Sequence, residues 1–322
     1  MSHPTEPDFR LAVVALGGNA VYPKGIRGTA EEQFEILERT CAQLARMAAG
    51  GYRLALTHGN GPVIGNILIR MAMASTVVPP MPMDVCVADS QGGMGYMIQQ
   101  SLAGALLAAG VPAPVVSVVT QVEVDADDPA FRHPSKPVGP FYTPEEAERI
   151  AGRTGWEFRD DAGRGHRRVV PSPPPKAIVE IEAVRRLVEA GVVPIAAGGG
   201  GIPVTRQADG RYRGVAAVID KDLTGALLAL GLGAGLYINL TGVDSVALDF
   251  GTPAERPVPR LSVAEAKAHL EAGQFAEGSM APKIRAAVQY VEKGGGTMII
   301  TSLERVEAAL EGKAGTRIVL ES

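Results

Sequence analysis

The chain has 322 residues, 46% of them hydrophobic, with 39 glycines, 24 prolines and only 5% aromatics; this suits one large α/β domain or two smaller ones and excludes a disordered chain. Its 31 basic and 35 acidic side chains leave a net charge of −4, so no basic excess points to nucleic acid or an anionic membrane surface, and an anionic substrate must be held by a few placed cations. The two cysteines, Cys41 and Cys86, stand outside any CxxC or Cys/His array, which argues against a zinc site or a disulfide framework.

The polar start MSHPTEPDFR has no apolar stretch of signal-peptide type, and charge, Ser or Gly interrupts every long apolar helix. No membrane span and a cytoplasmic location are expected. Residues 11–16 (LAVVAL) form a short, continuously apolar run that stops at Gly17-Gly18-Asn19, the pattern of a strand buried on both faces. Residues 29–49 carry Phe34, Leu37, Cys41, Leu44 and Met47 at helical spacing, with Glu31 and Glu32 in the first turn and Gly50-Gly51 after the end. Residues 53–57 (RLALT) give the next strand, followed by HGNGP. Helices are predicted over 63–73 and 90–109, with Pro79-Pro80-Met81-Pro82 between them, and a strand over 114–119.

From 121 to 172 the apolar periodicity fades, Pro, Gly and charge rise, and the only tryptophan, Trp156, occurs. Residues 157–170 read as a hairpin turning at DDAGRG. This stretch is taken as an inserted lid subdomain, which leaves 1–120 and 173–322 as the main domain. There the βα rhythm resumes: a helix over 178–190, a strand over 192–197 ending in Gly198-Gly199-Gly200-Gly201, and a hairpin turn at 207–210. A helix over 221–230 precedes a strand over 236–240, which ends in Thr241-Gly242-Val243-Asp244. Helices over 262–271, 282–291 and 303–310 and strands over 297–301 and 316–320 complete the chain. Such alternation predicts a mostly parallel sheet with helices on both faces.

Three strands thus end in glycine clusters, at 17–19, 58–61 and 198–201. In an open α/β sheet, ligands gather beyond the carboxyl ends of the strands, and glycines there let backbone N–H groups approach an anion. One cluster is the ordinary way to make a tight βα turn; three at one sheet edge point to polyphosphate binding. No cluster is a Walker A sequence or a dinucleotide-binding GxGxxG. Lys221 and Lys283 open helices and Lys136 lies in the insertion. A lysine at a helix N-terminus opposes the helix dipole, and beside glycine turns that placement suits a bound anion. Phosphoryl transfer needs positive charge and in-line positioning more than covalent help, and an anionic acceptor needs no general base. No His–carboxylate pair, activated thiol or serine triad is evident: His58 reads as polar support for its turn, and His133 and His166 as surface residues.

The segments ALGGNA (15–20), THGNGP (57–62), KPVGPFY (136–142), GRGHRRVVPSP (163–173), AAGGGGIPV (196–204), AVIDKDL (217–223), LTGVD (240–244) and GQFAEGSMAPK (273–283) together resemble the carbamate kinase family, in order and over nearly the whole chain. The two insertion motifs are the most specific of these. The resemblance implies a three-layer αβα sandwich with a protruding lid, a homodimer using the helix with residues 90–100, Mg²⁺ as cofactor, a place in arginine metabolism, and the reaction ADP + carbamoyl phosphate ⇌ ATP + carbamate. It also implies an acceptor site in the N-terminal half of the main domain and a nucleotide site in the C-terminal half. By position, Gly17, Gly18 and Asn19 would hold the transferred phosphate, and Gly59, Asn60 and Gly61 would line the acceptor site, with Gly199 and Gly200 contributing. Lys221 and Lys283 would stabilise the moving phosphoryl group, Asp222 would orient Lys221, and Lys136 would reach in from the lid. Thr241, Gly242, Val243, Asp244 and Met280 would border the nucleotide.

The chain departs from the family pattern at Val63, where a glutamine is usual, at the charged Asp89, and at Ala281, where a glycine is usual. Val63 and Asp89 fall near the acceptor side by motif position and leave open a related kinase with a different small carboxylate or carbamoyl acceptor. Drift without functional change is the simpler reading. Ala281 is tolerable if its φ is negative.

Overall fold

Leu11 to Leu16 are buried on both faces because their strand, Asp8–Leu16, lies inside the sheet, paired in parallel with Arg53–His58 on one side and Ala234–Thr241 on the other. The computed structural model describes residues 7–23, 25–161, 163 and 165–321, the side chain of Asn19 excepted. The main sheet has eight strands, in the order Arg260–Ser262, Thr316–Val319, Thr297–Ser302, Ala234–Thr241, Asp8–Leu16, Arg53–His58, Val193–Ile195 and Val115–Ser117. All neighbours are parallel except Thr297–Ser302 with Thr316–Val319, so the first two strands oppose the rest. A central parallel strand has no solvent face, and this is why its sequence does not alternate.

Alternate residues of that strand feed two apolar layers. Leu11, Val13 and Ala15 pack with Tyr237, Leu228, Ile284 and Tyr290 on one face. Ala12, Val14 and Leu16 pack with Leu37, Leu44, Ile98 and Leu102 on the other. The result is helices on both faces of a mostly parallel sheet, the expected αβα sandwich.

A second sheet joins Tyr212–Gly214, Ile202–Arg206, Gln121–Val124 and Pro175–Ile178. A third, antiparallel, joins Lys136–Tyr142, His166–Val170 and Phe158–Asp160 beside the helix Pro144–Thr154. This three-stranded insert seats its base on the sandwich, where Val138 and Val170 pack with Ile64, Leu68, Met83 and Cys86. Gly65 and Gly139 meet backbone to backbone there: a Cβ on Gly65 would stand 2.0 Å from Gly139 Cα.

The elements differ from expectation in a few places. The helix expected from 90 starts at Met83 and runs to Ala108, because Pro82 is compatible with the position before a first turn. The helix expected from 178 is Ile181–Glu189, preceded by the strand Pro175–Ile178. Gln121–Val124, at the start of the stretch read as an insertion, pairs in the second sheet rather than with the three-stranded insert. The hairpin Val246–Leu248 with Arg256–Val258 was not expected. The expected hairpin strands are Phe158–Asp160 and His166–Val170; Ala162 and Arg164 in its turn lie outside the described residues. Among the described residues no helix is long and apolar enough to cross a membrane.

Candidate active site

Chain order reverses at the central strand: Arg53–His58 adds on one side, Ala234–Thr241 on the other. Such a switch point opens a crevice beyond the carboxyl ends of the strands. Leu16 is in register with both His58 and Leu240, so Gly17, Gly59 and Thr241 emerge side by side. Gly17 N–H donates to Leu240 O at 2.9 Å, and Gly59 N–H to Leu16 O at 3.0 Å. A Cβ on Gly17 would lie 2.3 Å from Leu240 O, whereas Gly18 and Gly61 have nothing within 4 Å of that position. Glycine at 59 has a further reason: a Cβ would stand 3.0 Å from Lys221 Cδ, so the lysine stem crosses the turn. Asn60 is buried, and its Nδ2 donates to Ser90 Oγ at 2.9 Å. Of Asn19 the structure describes no side chain.

Lys221 opens the helix Lys221–Leu232. The preceding residue, Asp220, caps it by accepting Asp222 N–H at 2.9 Å, as short acidic side chains do. Asp220 Oδ2 also takes the Lys136 ammonium at 2.5 Å, which ties the insert to the start of this helix. Lys283 stands in the first turn of the helix Met280–Glu292. Its ammonium lies 2.8 Å from Asp222 Oδ2, while Lys221 Nζ lies 2.5 Å from Oδ1. Asn239 Nδ2 donates to the same Oδ1 at 2.7 Å, and Tyr237 O–H donates to Asp222 O at 2.9 Å.

These contacts set the charges. Burial would raise the Asp222 carboxyl, but the Lys221 and Lys283 ammonium groups outweigh it and hold the group far below the usual carboxylate range. Burial, aided by the Lys283 charge, lowers the Lys221 ammonium against the pull of Asp222. Burial also pushes His58 down to about 4, helped by Lys221 and opposed by its contact with Gly59 O, so this imidazole is neutral at pH 7. Its Nδ1 lies 3.1 Å from Gly59 O.

The glycine run is enclosed. Gly198, Gly199 and Gly200 are buried. A Cβ on Gly198 would lie 2.3 Å from His58 Nε2, one on Gly199 2.2 Å from Asn60 Nδ2, and one on Gly200 2.3 Å from Ile219 O. Gly200 N–H is engaged with Ala197 O. The run therefore packs beneath His58 and Asn60.

Lys136, Lys221 and Lys283 share a cleft of 840 Å³ with Thr241 and with Arg159, Arg167 and Arg285. Asp244 accepts Ser302 Oγ–H at 2.6 Å, which ties the loop that holds Gly242 and Val243 to the end of the neighbouring strand. Met280 opens its helix and packs on the core. The three arginines, Asp220 and Asn239 were missed from sequence. An acid immediately before Lys221 and a lone amide in an apolar strand were the available signals.

The three departures are located as well. Val63 packs on the apolar layer below the sheet. Asp89 shares the helix face of Val85 and Tyr96, which are 37% and 60% exposed, and not that of Ser90, which meets Asn60. Ala281 is helical, with φ outside the left-handed region.

Residues 10–302 match the amino acid kinase family. A carbamate kinase of Pyrococcus furiosus is 48% identical over 312 residues, covering 96% of this chain and 99% of its own. A carbamate kinase of Staphylococcus epidermidis is 44% identical over 95% of the chain and 98% of its own. The solved carbamate kinase of Giardia lamblia bound to AMP-PNP superposes with a TM-score of 0.89 at 40% identity, covering 98% of this chain and 99% of the other. Fold, full-length identity and the lysine-lined cleft agree, and the chain belongs to the amino acid kinase family, within which it groups with the carbamate kinases.

Proposed function

We propose that the protein is a carbamate kinase, transferring a phosphoryl group reversibly between carbamoyl phosphate with ADP and carbamate with ATP. The observation that carries this is the double ammonium clamp on Asp222 at the mouth of the switch-point crevice. A buried carboxylate with two cations holds Lys221 and Lys283 side by side, and each keeps N–H donors for phosphoryl oxygens. In the ATP-forming direction, an ADP β-phosphate oxygen attacks the phosphorus of carbamoyl phosphate. The P–O bond to carbamate breaks and carbamate leaves as an anion. No proton has to move, which agrees with a site whose one histidine is neutral and buried. The two lysines stabilise charge on the equatorial oxygens.

In this reading Gly17, Gly18 and Asn19 meet the transferred phosphate, and Gly59, Asn60 and Gly61 border the acceptor. The nucleotide lies along 241–244 and Met280. Gly199 and Gly200 act by supporting Asn60 and the strand below. Lys136, already paired with Asp220, brings the insert over the cleft as a lid.

Mg²⁺ enters with the nucleotide phosphates. Among the described residues no group of three or more His, Cys, Asp or Glu side chains could hold a metal, and Asp220 and Asp222 are engaged by lysines. These residues do not build a resident metal site. A homodimer through the face of Met83–Ala108 that bears exposed Val85 and Tyr96, a cytoplasmic location and a role in arginine metabolism complete the proposal.

The test is ATP formation from ADP, Mg²⁺ and carbamoyl phosphate by the purified protein. Fast turnover supports the reading. No turnover with intact ATP binding overturns it in favour of a different small carboxylate or carbamoyl acceptor.

A further inference from the structure

The strand Ala234–Thr241 is buried along almost its whole length, and Asn239 in it is 0% exposed. Its partners in the adjoining strands are Ala15 and Ile300. An amide in such a place is unfavourable unless its polar atoms are satisfied. Only half of this one is: Nδ2 donates to Asp222 Oδ1 at 2.7 Å, while Oδ1 has no hydrogen-bond partner among the described residues. The reverse orientation would set Oδ1 against a carboxylate, which only accepts. The Tyr237 hydroxyl and the Asp222 carboxylate stand beside it, so the amide belongs to a small polar cluster inside the apolar layer. What Asn239 does satisfy is the anion that spaces two catalytic lysines.

The Asp222 carboxylate has three side-chain donors: Lys221 and Asn239 on Oδ1, Lys283 on Oδ2. The two lysines sit on long, flexible stems. Asn239 is short and is anchored in the middle of the sheet, so it is the rigid member of the set. Its N–H fixes the plane of the carboxylate, and the carboxylate fixes where the two ammonium groups stand.

We propose that Asn239 is a positioning residue for phosphoryl transfer, acting through Asp222 to set the spacing of Lys221 and Lys283. The inference rests on the kinase reading above. Electrostatic stabilisers lose effect steeply when misplaced, and an ångström of displacement is worth up to ~10²-fold.

The experiment compares wild type, Asn239→Leu, Asn239→Ala, Asp222→Asn and the double variant Asn239→Leu/Asp222→Asn in the ADP and carbamoyl phosphate assay, with thermal unfolding of each. Leucine keeps the branched heavy-atom skeleton of asparagine, is somewhat bulkier, and removes the unpaired carbonyl. Its expected result is kcat lowered about 10- to 100-fold, KM for ADP within about twofold of wild type, and Tm unchanged or raised. In the Asp222→Asn background the same change should add no further loss, because its route to the lysines is already cut. Asn239→Ala, the second variant should leucine not fold, should show the same loss of kcat at a lower Tm. Wild-type kcat in a folded Asn239→Leu or Asn239→Ala protein overturns the inference, as does a kcat loss that adds in full to that of Asp222→Asn. Absence of turnover in the wild type would instead sink the kinase reading itself.

Discussion

Lys283 Nζ lies 2.8 Å from Asp222 Oδ2, across 61 positions of chain, and the same carboxylate holds Lys221 through its other oxygen. The side chains of all three are nearly enclosed: 15% of Lys221, 12% of Lys283 and 5% of Asp222 remains exposed. Lys221→Ala and Lys283→Ala should each lower kcat by ~10²–10³-fold, the scale of losing one electrostatic stabiliser. The double variant should lose far less than the product of the two, because the pair acts as a unit. Near-wild-type rates in both single variants would remove the lysines from the chemistry.

Asp222→Asn should reduce stability as well as turnover. It strands two buried ammonium groups, and breaking a buried ion pair from one side costs roughly 3–5 kcal/mol. Urea unfolding at pH 7.5 measures the loss. A midpoint equal to wild type would mean that the lysines find other partners.

Lys136→Ala breaks the one ion pair between the insert and the 221–232 helix seen among the described residues. The expected effect falls on substrate capture: KM for carbamoyl phosphate rises about tenfold while kcat changes less. Asp220→Asn should reproduce that rise. An unchanged KM in both variants would separate the insert from acceptor handling.

His58 makes stability depend on pH. Its folded pKa of about 4 lies below the 6.5 of a free imidazole. Between these values the unfolded chain binds the proton and the folded one does not, so stability falls as pH drops through this window and levels off below it. Going from pH 7.5 to 5.0 should remove about 2 kcal/mol through this residue. The difference between wild type and His58→Leu across that range isolates the effect; equal pH slopes would show that His58 takes up its proton without unfolding.

Two glycines should fail in different ways. Gly200 has φ +92 and Ile219 O 2.3 Å from any Cβ, so Gly200→Ala should lower Tm. Gly59→Ala adds a methyl 3.0 Å from Lys221 Cδ, against a movable side chain, and should lower kcat with little change in Tm. Thermal unfolding and turnover on the two variants read the contrast, and a Tm loss at Gly59 matching that at Gly200 would contradict it.

The sequence by itself determined the local pieces. Continuous apolar runs with glycine stops specify buried parallel strands, because burial on both faces removes alternation and a tight turn at a sheet edge excludes a Cβ. Helix-start lysines stood out because they oppose the dipole, and the ordered motifs pointed to the family. A loss of periodicity marked 121–172 as different in character, and within it Lys136–Tyr142, Phe158–Asp160 and His166–Val170 form a sheet of their own. Only the tertiary structure decided which of these pieces meet. Asp222 became the hub of two lysines where two helices start at one sheet edge, and Lys136, at the start of its strand, reached Asp220, 84 positions away. The same geometry placed Gly199 against Asn60 and Gly200 against Ile219, turned Asp89 to an outer helix face, and brought Asn239 up under Asp222. Local patterning fixes which way a residue leans from its own strand or helix. The distance between two side chains on different elements is set by register and packing summed over the whole core, and no short stretch of sequence contains that sum.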